Sequence, residues 1–179
     1  MTKEKFNEYI KPILVLVVIC LIVSFLLAVT NSATAPVIRE HEQAEAERTR
    51  QEVLPGSTTF TELSVEGIPG VDSVFRDDGG AGYVATAGYK GYGGIVTVTV
   101  GLDNDGKVVG ISANVKTETP NVGTKAGQDS YLSQFVGLSG GEAAEVDTIT
   151  RATYSSTAAR TGVSTILENF ENRTGAPEK

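Results

Sequence analysis

Residues Ile13 to Val29 carry no charge and are almost wholly apolar. This run constrains the chain more than any other feature. Its length is close to the ~20 residues that cross a bilayer core. A secretory signal peptide is the competing reading, and Ala33-Thr34-Ala35 offers a small-x-small cleavage pattern. The run exceeds an ordinary signal core, however, and Pro36 would follow the cut, so an uncleaved single-pass anchor over residues 12–30 is expected. Cys20 has no small residues before it and reads poorly as a lipid-attachment site. Lys3, Lys5 and Lys11 precede the run, whereas Arg39 follows it in company with Glu40, Glu42, Glu45 and Glu47. The positive-inside rule therefore puts residues 1–11 in the cytoplasm and the remainder of the chain outside, at an inner or plasma membrane.

Between Val37 and Val53 the residues are strong helix formers without Gly or Pro, and Leu54-Pro55-Gly56 is a stop signal. A charged stalk helix is expected over residues 36–54. From residue 57 the chain turns to Gly, Thr, Val and Tyr in short alternating runs, and one extracytoplasmic domain is expected over residues 57–173. Tyr83 to Ala87 is a candidate strand. Ile95 to Val100 alternates apolar residues with Thr, so one face is buried and the other half-polar. Asp103-Asn104-Asp105-Gly106 is a hairpin turn, and Lys107 to Val115 is the returning strand. Lys116 to Gly123 is too rich in turn formers to continue it. A helix from about Lys125 to Phe135 and a loop at Leu138 to Gly141 follow. Residues 57–80 read equally as strands or as an irregular cover. The fold class expected is α+β, a mainly antiparallel sheet packed with helices.

The net charge of −7 argues against nucleic acid as a partner. With one Cys and one His in the chain, there is no internal disulfide and no Cys/His cluster for a metal. His41 reads as a solvated residue of a charged helix.

The stretch with most chemistry is Asp147-Thr148-Ile149-Thr150-Arg151-Ala152-Thr153, followed by Tyr154-Ser155-Ser156. Ala159, Gly162, Val163, Ile166, Leu167 and Phe170 then recur at helical spacing. Ser155 or Ser156 is the candidate N-cap. Thr153 thus sits where unpaired amides and the positive end of a helix dipole favour an anion such as phosphate.

This stretch resembles the flavinylation motif Asp-x-x-(Ser/Thr)-Gly-Ala-Thr of the FMN-binding domain family. Asp147, Thr150, Ala152 and Thr153 match, and Arg151 replaces the usual Gly. Lys90 to Ile95, Gly106-Lys107-Val108, Glu118-Thr119-Pro120 and Gln134-Phe135 appear in the family's order, with Asn121 in place of the usual Gly. The resemblance spans residues 80–170. The layout of anchor, stalk and external domain is most similar to the G-subunit family of Rnf electron-transport complexes. The C subunit of sodium-pumping quinone reductases has a similar plan.

The resemblance implies FMN attached by a phosphoester bond to Thr153, installed by a separate Mg-dependent flavin transferase that uses FAD. It implies Asp147, Thr150, Ala152, Glu118, Thr119, Pro120, Gly93 and Gly94 as further cofactor-binding residues. The partners implied are other subunits of an ion-translocating ferredoxin:NAD oxidoreductase complex, with membrane lipid around the anchor. The chain would be a redox subunit, not an enzyme alone. A self-contained extracytoplasmic flavin reductase and an anchored, non-redox binding module remain the alternatives.

Overall fold

A computed structural model describes residues 10–174. The chain divides into two units, residues 1–46 and 47–179. Helix α1 spans Lys11–Val53, 43 residues, over twice the ~20 that a bilayer core requires. Every apolar side chain from Ile13 to Val29 is exposed. Such a surface is stable only where something other than water covers it. The two helices expected here are one. Pro36 lacks the amide that would bond one turn back, yet the helix runs through it. The hydroxyls of Thr30, Ser32 and Thr34 donate to the carbonyls of Leu26, Ala28 and Thr30 at 2.9–3.0 Å. These polar residues are therefore satisfied within the helix and do not break it.

The second unit holds a five-stranded antiparallel meander in sequence order: β1 (Phe60–Leu63), β2 (Ser73–Asp77), β3 (Tyr83–Lys90), β4 (Ile95–Leu102) and β5 (Val108–Asn114). The expected strands are all present, β3 and β4 slightly longer than read. Residues 57–80, which sequence left open, supply β1 and β2. The β4–β5 turn closes as expected: Asp103 Oδ1 accepts from the amides of Asp105 and Lys107, and Gly106 takes φ 79°. The α+β class is as expected.

Past β5 the chain is more broken than its sequence suggests. Instead of one helix from Lys125 to Phe135 there is a 3-10 turn at Gly123–Gly127, the single-turn α2 at Asp129–Leu132, and another 3-10 turn at Ser133–Phe135. Gln128 is extended (φ −83°, ψ 146°) and interrupts the run. Tyr131, Leu132 and Phe135 still reach the core. The expected loop at 138–141 leads into a 3-10 turn at Gly140–Glu145 with a capping box between Ser139 and Glu142.

Helix α3 (Thr153–Thr174) lies on one face of the sheet. Ala159, Val163, Ile166 and Leu167 meet Val96, Val98, Val100 and Leu102 in the main core. Gly162 faces Val98, where a Cβ would stand 2.6 Å from the valine methyl. On the other face, the end of α1 packs Val53 and Leu54 against Val84, Phe60 and Phe75, with the Arg50 guanidinium 4.2 Å over the Phe75 ring. Gly101 and Gly110 are paired across β4 and β5. A Cβ on either would meet the Val53 carbonyl oxygen, at 2.1 and 2.4 Å. The sheet is notched there to admit the backbone that leaves α1.

Gly101→Ala and Gly110→Ala should each force Val53 off the sheet. The expected loss is ~1–3 kcal/mol, the range for overpacking a filled site. Thermal melts of the purified variants check it. Gly141→Ala, at an exposed position where a Cβ would meet nothing within 4 Å, is the tolerant comparison.

Candidate functional site

The segment that enters α3 is a tight turn. The Ala152 amide donates to the Ile149 carbonyl at 2.9 Å, and Arg151, in the third position, has φ 71°. A positive φ there is the mark of a type II turn, which favours Gly. Asn121, after Thr119-Pro120, has φ 61°. Among the described residues these are the two non-glycine residues with positive φ. They are also the two positions where the sequence departs from the pattern it resembles. Asn tolerates this conformation well; Arg does so at a cost of ~1–2 kcal/mol.

The helix starts earlier than the sequence suggests. The Ser156 amide donates to the Ala152 carbonyl at 2.9 Å, so Thr153 is the first helical residue. Ser155 and Ser156 are not caps. The Ser156 hydroxyl donates to the Ala152 carbonyl (2.9 Å) and accepts from the Ile149 amide (3.0 Å), which staples the turn to the helix. Arg160 donates to the Val146 carbonyl at 3.0 Å. The buried Tyr131 hydroxyl donates to the Ser156 carbonyl at 3.1 Å. Burial raises the pKa of that phenol, against the opposing charge of Arg160. The amides of Thr153, Tyr154 and Ser155 have no acceptor among the described residues. Thr153 and Tyr154 are exposed and Ser155 is buried, so these unpaired donors begin beside the exposed Thr153 side chain.

Glu118 joins this turn to the rest of the domain. It is 3 % exposed. Its Oε1 accepts from the amides of Gly93 (3.0 Å) and Gly94 (3.2 Å), and its Oε2 accepts from the Tyr92 amide (3.3 Å) and the Ser155 hydroxyl. Burial opposes the charge. The hydrogen bonds from Ser155 and the three amides outweigh it and hold the carboxyl below its ordinary range. Gly91, Gly93 and Gly94 permit the approach: Cβ atoms there would stand 2.5 Å from Glu118 Oε1, 2.2 Å from the Thr117 carbonyl and 2.4 Å from Thr117 Oγ1.

Two clefts meet at Thr153. One, of about 230 Å³, is lined by Tyr92, Glu118, Thr119, Val122, Gly123 and residues 151–155. The other lies between Tyr89 and Lys90 of β3 and the Thr157, Ala158, Thr161 face of α3. The first by itself is smaller than the ~300–1,000 Å³ of a pocket that encloses a small molecule.

Of the residues singled out from sequence, Thr153, Ala152, Glu118 and Thr119 line this cleft. Glu118 does so as a buried brace. Gly93 and Gly94 give their amides to that brace and not to the cleft. Pro120 is exposed in the turn before Asn121, and the Thr119 carbonyl closes that turn by accepting from Val122 and Thr124 at 3.2 Å. Thr150 is the exposed second residue of the Ile149–Ala152 turn. Asp147 is exposed and makes no hydrogen bond among the described residues, so it does not cap the loop. Sequence reading missed Ser155 and Ser156 as braces, along with Arg160 and Tyr92. The adjacent serines are the available signal, because hydroxyls in a first helical turn reach back to neighbouring loops.

Comparison with known proteins adds to this. Residues 91–168 match the model of the FMN-binding domain family, and residues 7–53 match that of the RnfG N-terminal region. The chain is similar to the G subunit of the Na(+)-translocating ferredoxin:NAD(+) oxidoreductase complex of Acetobacterium woodii, 30% identical over 96% of this chain and 98% of the relative. It is similar to the G subunit of the proton-translocating ferredoxin:NAD(+) oxidoreductase complex of Clostridium ljungdahlii, at 27% over 89% and 90%. It is also similar to the G subunit of the ion-translocating oxidoreductase complex of Shewanella baltica, at 29% over 73% and 69%.

Two outcomes follow for the brace and the turn. Glu118→Gln puts an amide group against donors that need an acceptor, and should cost about 1–3 kcal/mol. Because the folded carboxyl lies below its unfolded value, its contribution is complete above the unfolded carboxylate range and is lost as pH falls through the folded value. Melting temperature should therefore fall less steeply in Glu118→Gln than in the parent between about pH 5 and pH 3. Arg151→Gly relieves the strained backbone and should leave stability unchanged or raise it by up to ~1 kcal/mol. Melts of both variants, compared with the parent, check these signs.

Proposed function

The chain belongs to the family of G subunits of ion-translocating oxidoreductase complexes, and from that premise we propose that it carries electrons in such a complex through FMN joined by its phosphate to Thr153 Oγ. One observation carries the point of attachment. Thr153 presents an exposed side chain at the first position of a long helix, beside three amides with no acceptor, in the cleft that Arg151 also lines. The residues fit a phosphodiester. The free amides and the helix dipole stabilise its remaining negative charge. Arg151, held in the turn, adds a guanidinium that pairs with phosphate oxygens.

FMN supplies the reversible redox chemistry, and the protein supplies position and electrostatics. The attachment step forms a bond from Thr153 Oγ to the FMN phosphorus of FAD. The phosphoanhydride breaks, AMP leaves, and the threonine proton is lost. No base for that proton is supplied by Glu118, whose oxygens are taken by four donors. This supports installation by a separate Mg-dependent transferase, for which the exposed Asp147 and Thr150 would form a surface to read.

The anchor is the apolar part of α1, a single span through membrane lipid. The lysines before it and the glutamates after it favour an N-terminus in the cytoplasm and an FMN domain outside. Covalent attachment is apt there, since a cofactor that dissociates outside the cell is lost. The electron partners are the neighbouring subunits of the ferredoxin:NAD-type complex.

Coexpression with a flavin transferase, followed by denaturing electrophoresis, tests this. The parent should give a fluorescent band and Thr153→Ala a dark one. A dark parent band, with the transferase active on a control substrate, would set the proposal aside in favour of an anchored binding module.

A further inference from the structure

Two large aromatic side chains stand in water beside Thr153. Tyr92 is 74% exposed and Tyr154 is 71% exposed. They come from segments far apart in sequence, yet their ring centroids lie 6.4 Å apart at a 49° tilt. Both line the cleft that contains Thr153. Neither position is incidental to the fold. The Tyr92 amide donates to Glu118, which fixes the β3–β4 loop that carries the ring. Tyr154 follows Thr153 directly in the first turn of α3. The Ser155 hydroxyl ties that turn to the same carboxylate. One buried group thus positions the loop and the helical turn that carry both rings.

Exposed aromatic rings gain little from water and much from a flat apolar partner, which they meet in offset or edge-on contact. The rings are tilted to each other and not stacked, so each leaves a face open. Val122, also partly exposed, borders the same cleft. We infer that Tyr92 and Tyr154 are positioning residues that pack against the isoalloxazine ring of FMN tethered at Thr153, and so determine which edge stays open to a partner subunit. This rests on the attachment proposed above.

Contact between a phenol and an isoalloxazine ring has its own signature. On illumination the phenol passes one electron to the excited ring and recovers it on return to the ground state, so emission is quenched with no net chemistry. Phenylalanine fills nearly the same space but is too hard to oxidise to do this. The full-length chain should be coexpressed with the transferase as parent, Tyr92→Phe, Tyr154→Phe and the double variant. Intact mass then establishes loading, and fluorescence yield and lifetime are read on the folded protein. At equal loading, emission should rise in each single variant and by several-fold in the double variant, and the difference should vanish on denaturation. A loaded parent whose emission neither substitution changes overturns the inference and leaves the attachment intact. A parent that takes up no flavin overturns the attachment and the inference together.

Discussion

A carboxylate buried without partners would cost several kcal/mol and would neutralise itself before it stayed charged. Glu118 avoids this because three amides of one loop and a hydroxyl of one helix converge on it. The cost of burial thus becomes a geometric constraint: the β3–β4 loop, the Thr117–Asn121 turn and the first turn of α3 must meet at one point, or the charge is stranded. The glycines at 91, 93 and 94 follow from the same requirement, since side chains there would hold the loop off. The low pKa of the group is the electrostatic face of that arrangement.

With the helix start fixed, its orphan amides become useful. Most helices spend such donors on a capping side chain. Here the nearby hydroxyls are used elsewhere: Ser155 serves the buried carboxylate and Ser156 staples the preceding turn. Thr153 and its neighbours are left with free donors and a strained Arg beside them. Strain of that kind persists where the surroundings over-determine the backbone, and it is common at sites that hold a ligand. The phosphodiester proposed at Thr153 would meet both the amides and the guanidinium.

Much of this was legible in the sequence because it depends on local pattern. Alternation in Ile95–Val100, the Asp-rich turn before Lys107 and the spacing from Ala159 to Phe170 each report a period set by one element's buried face. What was misread depends on contacts between distant residues. The anchor and the stalk read as two helices, over residues 12–30 and 36–54, and are one continuous helix. Ser155 read as a cap because its partner lies 37 residues away in sequence. Gly93 and Gly94, expected as cofactor-binding residues, direct their amides at a carboxylate whose burial no local pattern reveals. Residues 57–80, left open between strands and an irregular cover, hold two strands defined by the pairing of β1 with β2 and of β2 with β3. The membership in a family of electron-carrying subunits rests on ordered motifs and on similarity along nearly the whole chain.

The most direct measurement is the mass of one peptide. Trypsin cuts after Arg151 and Arg160 and releases Ala152–Arg160, which holds Thr153, Ser155, Ser156 and Thr157. After coexpression with the transferase, fragmentation should place the whole mass of FMN less one water on Thr153, with the two buried serines unmodified. An unmodified peptide, or FMN on any other hydroxyl, would contradict the account, because the free amides and the exposed side chain coincide at Thr153.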